Sequence, residues 1–192
     1  LMRVNLLKRM ESSIYSFSLT VEKLVSQVDD LLTKIHNHTT GEIEDIDVEE
    51  AELDSPELSD LVAGNKTKVL IQDTDQVLWK QDLEEDKELL ERLLGDAKRI
   101  DANRDAKLRD LKKVITEKVK QPINPDNNKI IIFTAFADTA LYLHEHIATW
   151  AKDELGLYSA IVTGGGGNKT NLTGIGSDFN NLLTAFSPRS KE

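Results

Sequence analysis

Apolar residues recur at alternating steps of three and four over Leu7, Met10, Ile14, Phe17, Val21, Leu24, Val28, Leu31 and Ile35. This a/d spacing, held for about four heptads, predicts one continuous helix of about 30 residues with no internal Pro or Gly. A seam of that length either pairs with another helix of the chain or faces a partner. Two further helical patterns favour pairing within the chain as a helical hairpin. Asp75 to Ile100 carries Leu78, Leu83, Leu89, Leu90, Leu93 and Leu94 on its apolar side, and Asp101 to Lys120 is built on Leu108, Leu111, Val114, Ile115 and Val119. Lys68–Gln72 reads as a short extended piece. Pro122 and Pro125 end the helical region.

Beyond the prolines the period changes. Lys129 opens an unbroken apolar run, Ile130-Ile131-Ile132-Phe133, of the kind that forms a strand buried on both faces. A small-residue turn over Thr134 to Ala137 follows, and Asp138 is placed to cap a helix running through Trp150. Tyr158–Thr163 reads as a second strand, and a last helix is expected near Asp178–Phe186. Strand, turn, helix and strand predict a parallel βαβ unit. The expected fold class is therefore α/β, with a long-helix module over residues 1–121 and an incomplete α/β module over residues 122–192.

Composition sharpens the picture in one place. The chain has 192 residues, 39% of them hydrophobic, which is room for one domain or two small ones. Its net charge of −10 is concentrated: ten acidic residues fall between Gly41 and Asn65, with no Lys or Arg among them. The rest of the chain is balanced. The segment near residues 40–65 reads either as a solvated acidic linker or as an acidic flap that mimics DNA. No basic patch supplies an electrostatic footprint for nucleic acid, so the chain alone is expected to bind DNA poorly.

There is no cysteine, no signal-peptide pattern and no apolar span of about 18 residues, so a reducing, cytoplasmic compartment is expected. The sequons at Asn37, Asn65, Asn168 and Asn171 then read as coincidence. The first residue is Leu and the last is a charged residue in a helical pattern. Both ends are expected to have been cut from a longer protein.

Candidate chemistry is sparse. In Val162-Thr-Gly-Gly-Gly-Gly-Asn-Lys-Thr170 a Gly-rich turn precedes Lys169-Thr170, but Asn168 stands where a phosphate loop needs Gly, and no helix pattern begins at Lys169. A loop at the sheet edge is the better reading, with amides that could meet a phosphate in a larger assembly. The pairs His36/His38 and His144/His146 are two residues apart, which points each pair to different sides of a helix and away from metal chelation. Phe136 either packs under the following helix or stands free to meet a base or a neighbouring domain. Thr134 is either a turn hydroxyl or a backbone-phosphate donor.

The residues Lys129-Ile-Ile-Ile-Phe-Thr-Ala-Phe-Ala-Asp-Thr-Ala-Leu-Tyr-Leu-His-Glu-His-Ile147 resemble the start of the second RecA-like domain of bacterial Swi/Snf-like superfamily II helicases. Asp101–Ile115 resembles the helix leading into that domain, Phe179–Glu192 the helix that follows in bacterial members, and the heptad helix suits their helical insertion. The resemblance implies an incomplete RecA-like helicase C-terminal domain from an ATP-dependent DNA helicase or translocase. Carried over by position, Thr134 and Phe136 match the family's fourth motif. Thr163 and Gly164 match the strand-end pair that faces the nucleic-acid backbone. ATP and Mg would serve the parent protein, with DNA and the remaining motor segments as partners.

The family's phosphate loop, acidic metal box and Gln-x-x-Gly-Arg segment are not in this sequence. Phosphoryl transfer is positioned by those parts, so no ATP hydrolysis, catalytic residue, cofactor or metal is expected here. The alternative reading is a non-enzymatic protein–protein interaction module that uses the heptad helix as a coiled coil, with self-association as one outcome.

Overall fold

The computed structural model describes residues 2–38, 75–165 and 167–188. The acidic segment, Lys68–Gln72 and the sequon at Asn65 lie outside the described residues. Within them, the single long helix is the first expectation to change: two helices form instead, α1 (Met2–Ser12) and α2 (Ile14–His38). Ser13 is the reason. Its Oγ accepts the amide of Ser16 at 3.0 Å, an N-cap that restarts the helix. The break is also polar inside, because Arg9 Nη1 donates to Ser16 Oγ at 3.0 Å and both side chains are buried. A seam of apolar residues was visible in the sequence, but a serine's competition for backbone amides overrides periodicity locally.

Helix α3 (Gln76–Lys98) starts on Asp75, whose carboxylate accepts the Leu78 amide at 3.1 Å. It packs antiparallel to α2, so a helical hairpin does form inside the chain. Ile35, 1% exposed, packs with Leu31, Trp79 and Leu83 at one end. Lys87 meets Asp29 at 2.5 Å, and Lys98 meets Glu22 at 2.5 Å towards the other end. These bridges are solvent-facing, so they fix register more than they add stability. Val21 is buried as well, whereas Leu7 and Met10 at the α1 end of the seam are exposed.

The chain divides into two compact units, Leu1–Arg99 and Ile100–Glu192. The second begins with a turn in which Asp101 Oδ1 accepts the amides of Asn103 and Arg104, both at 3.0 Å. Helix α4 (Ala106–Lys120) follows, capped by Asp105, and ends ahead of Pro122. Helix α5 (Ala137–Leu155) lies against it. Leu108 and Ile115, one heptad apart on α4, join Tyr142, Ile147 and Ala151 of α5 in the core of this unit. Burial of each such aliphatic side chain is worth about 1.5–3 kcal/mol. Lys112 Nζ lies 5.2 Å from the Trp150 ring centroid and closes the edge of the packing.

Gly156 ends α5 at φ 66, the left-handed conformation that glycine adopts without strain. The Leu157 amide reaches back to Ala151 O at 3.0 Å, and the Leu157 side chain packs on the core. A two-stranded antiparallel ribbon comes next, β1 (Ala160–Ile161) and β2 (Lys169–Thr170), with Ala160 opposite Thr170 and Ile161 opposite Lys169. Helix α6 (Phe179–Phe186) is capped by Asp178 and buries Leu182.

The fold class expected from the sequence is therefore corrected. The described chain is mostly helical, its sheet is one antiparallel pair, and no parallel βαβ or RecA-like unit is present among the described residues. Ile130–Phe133 forms no strand. Ile130 rests on the core, but Ile131, Ile132 and Phe133 are 61%, 43% and 90% exposed. A strand buried on both faces needs a ladder on each edge, and the expected neighbour, Tyr158–Thr163, pairs locally instead. Its β1 residues reach β2 across one short loop, and a short antiparallel closure costs less chain entropy than a crossover.

Candidate nucleic-acid contact site

The four residues marked by the resemblance stand in two local structures. Thr134 and Phe136 share the turn that opens α5. The Phe136 amide donates to Thr134 Oγ1 at 3.2 Å, and Thr134 Oγ1 lies 3.3 Å from the Phe136 carbonyl oxygen. This hydroxyl-bonded turn sets Phe136, with φ −121 and ψ 130, as the N-cap residue. Asp138, expected to be the cap, is instead in the first turn of α5, because Thr134 has already fixed the helix start at Ala137. A carboxylate there suits the positive end of the helix dipole and disfavours a phosphate at the same place. Both Thr134 and Phe136 are half-buried.

Thr163 and Gly164 follow β1. The Thr163 amide donates to Asn168 Oδ1 at 3.3 Å, which folds the glycine loop back on itself. Gly164 is exposed, and a Cβ built on it would meet nothing within 4 Å. Gly167 differs: its φ of 78 is a conformation that L side chains rarely adopt. Lys169-Thr170 lies in β2 rather than at a helix start, and the next helix begins at Phe179. The loop thus lacks the aligned amides of a phosphate-gripping helix end.

The ribbon is fastened to α5 by one side chain. Asn171 Nδ2 donates to Ala148 O at 3.0 Å, and Asn171 Oδ1 accepts the Ser159 amide at 2.7 Å. Close to this fastening, His144 is half-buried, and its Nε2 has no hydrogen-bond partner among the described residues. Burial, with a smaller contribution from Lys169, pushes its pKa below the ordinary imidazole value. The ring is neutral near pH 7. His146 instead sets its ring edge-on to Tyr142, with centroids 4.7 Å apart and planes at 67°. Both rings of the pair are half-buried, His144 with a sequestered Nε2 and His146 stacked edge-on against Tyr142.

Sequence reasoning passed over Asp105. Its Oδ1 caps α4 through the Leu108 amide at 3.1 Å, and its Oδ2 accepts the Tyr142 hydroxyl at 2.9 Å. The signal that was available is an Asp immediately ahead of an amphipathic run. Elsewhere, Gly174, Ile175, Gly176, Asn181, Thr184 and Ala185 line an open concavity of about 300 Å³ that holds none of the marked residues. Among the described residues, no group of three or more His, Asp or Glu could hold a metal ion, and no helix is long and apolar enough to cross a membrane. No protein-family model, curated protein or solved structure matches this chain.

Proposed function

We propose that the chain is a non-catalytic part of an ATP-driven DNA helicase or translocase of the bacterial Swi/Snf-like type. It contributes a helical hairpin and the turn and loop that carry Thr134, Phe136, Thr163 and Gly164. Its parent couples ATP and Mg chemistry, performed by other segments, to movement on DNA. The residue pattern of Lys129–Ile147 supports this reading. The observation that carries it is the state of Ile130–Phe133. Ile130 rests on the core, but Ile131, Ile132 and Phe133 stand exposed, and the run's backbone makes no hydrogen bond to any described residue. A β-branched and aromatic run in that state belongs to a segment whose partners come from elsewhere in a larger machine.

The alternative, an interaction module working through the heptad seam, has less to draw on. Val21 and Ile35, two residues of that seam, are already buried within the chain. DNA-stimulated ATP hydrolysis by the full-length parent tests the motor reading. A rate that rises on addition of duplex DNA is expected. A parent that hydrolyses no ATP, with or without DNA, overturns it.

A further inference from the structure

Helix α5 packs on two sides. Tyr142 and Trp150 turn towards α4, where they meet Asp105 and Lys112. At about 100° per residue, His144 and Ala148 lie one turn apart on another side, about 120° or more round the axis from both. That side carries the ribbon. Asn171 Nδ2 donates to Ala148 O at 3.0 Å, and Asn171 Oδ1 accepts the Ser159 amide at 2.7 Å. The Asn171 amide donates to Ser159 O at 3.1 Å, and Thr170 Oγ1 donates to the same oxygen at 2.9 Å. Ile161 of β1 is buried.

His144 stands one turn before that fastening. Its Nε2 is shut off from solvent and has no hydrogen-bond partner among the described residues. The charge that bears on the ring is the ammonium of Lys169 in β2. The other charged groups around α5 are turned elsewhere. Asp105 and Lys112 of α4 engage Tyr142 and Trp150, Lys152 lies 5.7 Å from the Tyr158 ring centroid, and Asp178 bonds Asn181. Glu145 is exposed, about 100° round the helix from His144. None of these carboxylates is placed to balance a second proton on the ring. Such a proton puts a charged N–H where no acceptor waits and beside a like charge, and both effects oppose it. With the ribbon open the ring meets water and both effects vanish, so acid favours the open form.

From this geometry we infer that His144 is an acid-operated release for the ribbon. When the ring becomes an imidazolium, β1, β2 and the glycine loop that joins them come off α5, while the α4–α5 core stays folded. The release frees the loop that carries Thr163 and Gly164. It rests on contacts inside the second unit, so it stands apart from the motor reading.

The test is amide hydrogen exchange of the full 192-residue chain, read by NMR as protection factors so that the intrinsic pH dependence of exchange is divided out. The Ser159 and Asn171 amides report the ribbon, and Ile115, buried inside α4, reports the core. Between pH 7 and pH 5, protection at Ser159 and Asn171 should fall severalfold relative to that at Ile115. His144→Gln, which cannot become charged, should hold the ratio constant over the same range. Lys169→Gln leaves the ring in place, removes the repelling ammonium and should move the loss to lower pH. A wild-type ratio that stays constant from pH 7 to pH 5 would overturn the inference. So would a loss of the same size in His144→Gln, or one that Lys169→Gln leaves unmoved, since the acid response would then belong to other groups.

Discussion

The Tyr142 hydroxyl donates to Asp105 Oδ2 at 2.9 Å, across 37 residues of sequence. Through that bond the carboxylate that caps α4 is also the carboxylate that positions α5. Asp105 is 7% exposed and Tyr142 5%, so the pair lies inside the second unit beside Leu108 and Ile115. Cap, cross-helix bond and core packing converge on one acidic side chain.

Substitution should separate the two roles. Tyr142→Phe removes the hydroxyl but keeps the ring, and should cost about 1.5–3 kcal/mol, the range for a hydrogen bond to a charged group. Asp105→Ala removes that bond, strands the buried hydroxyl and loses a cap worth about 1 kcal/mol, so it should cost more. Urea unfolding followed through Trp150 measures both. An Asp105→Ala cost no larger than that of Tyr142→Phe would mean that the cap contributes nothing.

The same pair predicts a loss of stability in alkali. Burial first, and then the bond to Asp105, raise the Tyr142 phenol above its ordinary value of about 10. The folded state therefore holds the proton more tightly than the unfolded state does. Its contribution is complete below pH of about 10 and is lost as pH rises through the folded value. Melting temperatures taken from pH 8 upward should fall more steeply in the wild type than in Tyr142→Phe. Parallel curves would remove Tyr142 from the alkaline transition.

His144 acts at the other end of the scale. Its pKa is lowered in the folded state, so its contribution is present above the ordinary imidazole value and is lost as pH falls below it. His144→Leu also removes a buried nitrogen that has no partner among the described residues, an arrangement that typically costs about 1–3 kcal/mol. The variant should match or exceed wild-type stability at pH 7 and lose less between pH 7 and pH 5. A variant that is less stable at both values would show that the imidazole makes a favourable contact.

The helical hairpin should depend on Ile35. It is 1% exposed and packs against Trp79. Ile35→Ala should cost about 2–4 kcal/mol by removing buried methylenes and leaving a cavity. The chain has two tryptophans, so Trp150→Phe leaves Trp79 as a reporter of the first unit alone. An Ile35→Ala unfolding midpoint unchanged in that background would contradict the packing.

Local chemistry made much of the helical architecture legible. Asp75 and Asp178 announce α3 and α6, and Pro122 closes the run that becomes α4. Errors appear where a second element decides. Asp101 looked like a helix start, yet its carboxylate folds the preceding turn and hands the cap to Asp105. Ile130–Phe133 has the composition of a buried strand, but composition cannot supply neighbouring strands, and among the described residues Ile131, Ile132 and Phe133 stay exposed. Ser13 shows the reverse failure, since one hydroxyl broke a seam that periodicity carried straight through. At the marked site, the Thr134 turn follows from a hydroxyl two residues before an amide. The fastening of Asn171 to Ala148 spans 23 residues and leaves no local signature.

The motor reading meets its most direct test at Gly164, where a methyl group would touch nothing within 4 Å in the folded chain. Gly164→Ala in the full-length parent should therefore leave the melting temperature unchanged while standing in the path of a closely approaching nucleic-acid backbone. The measurement is DNA-stimulated ATP hydrolysis, read beside that melting temperature and across salt concentrations. The account predicts weaker stimulation, with DNA binding lowered to a similar degree on every sequence tested. Stimulation equal to wild type, at an unchanged melting temperature, would contradict the placement of this loop on DNA.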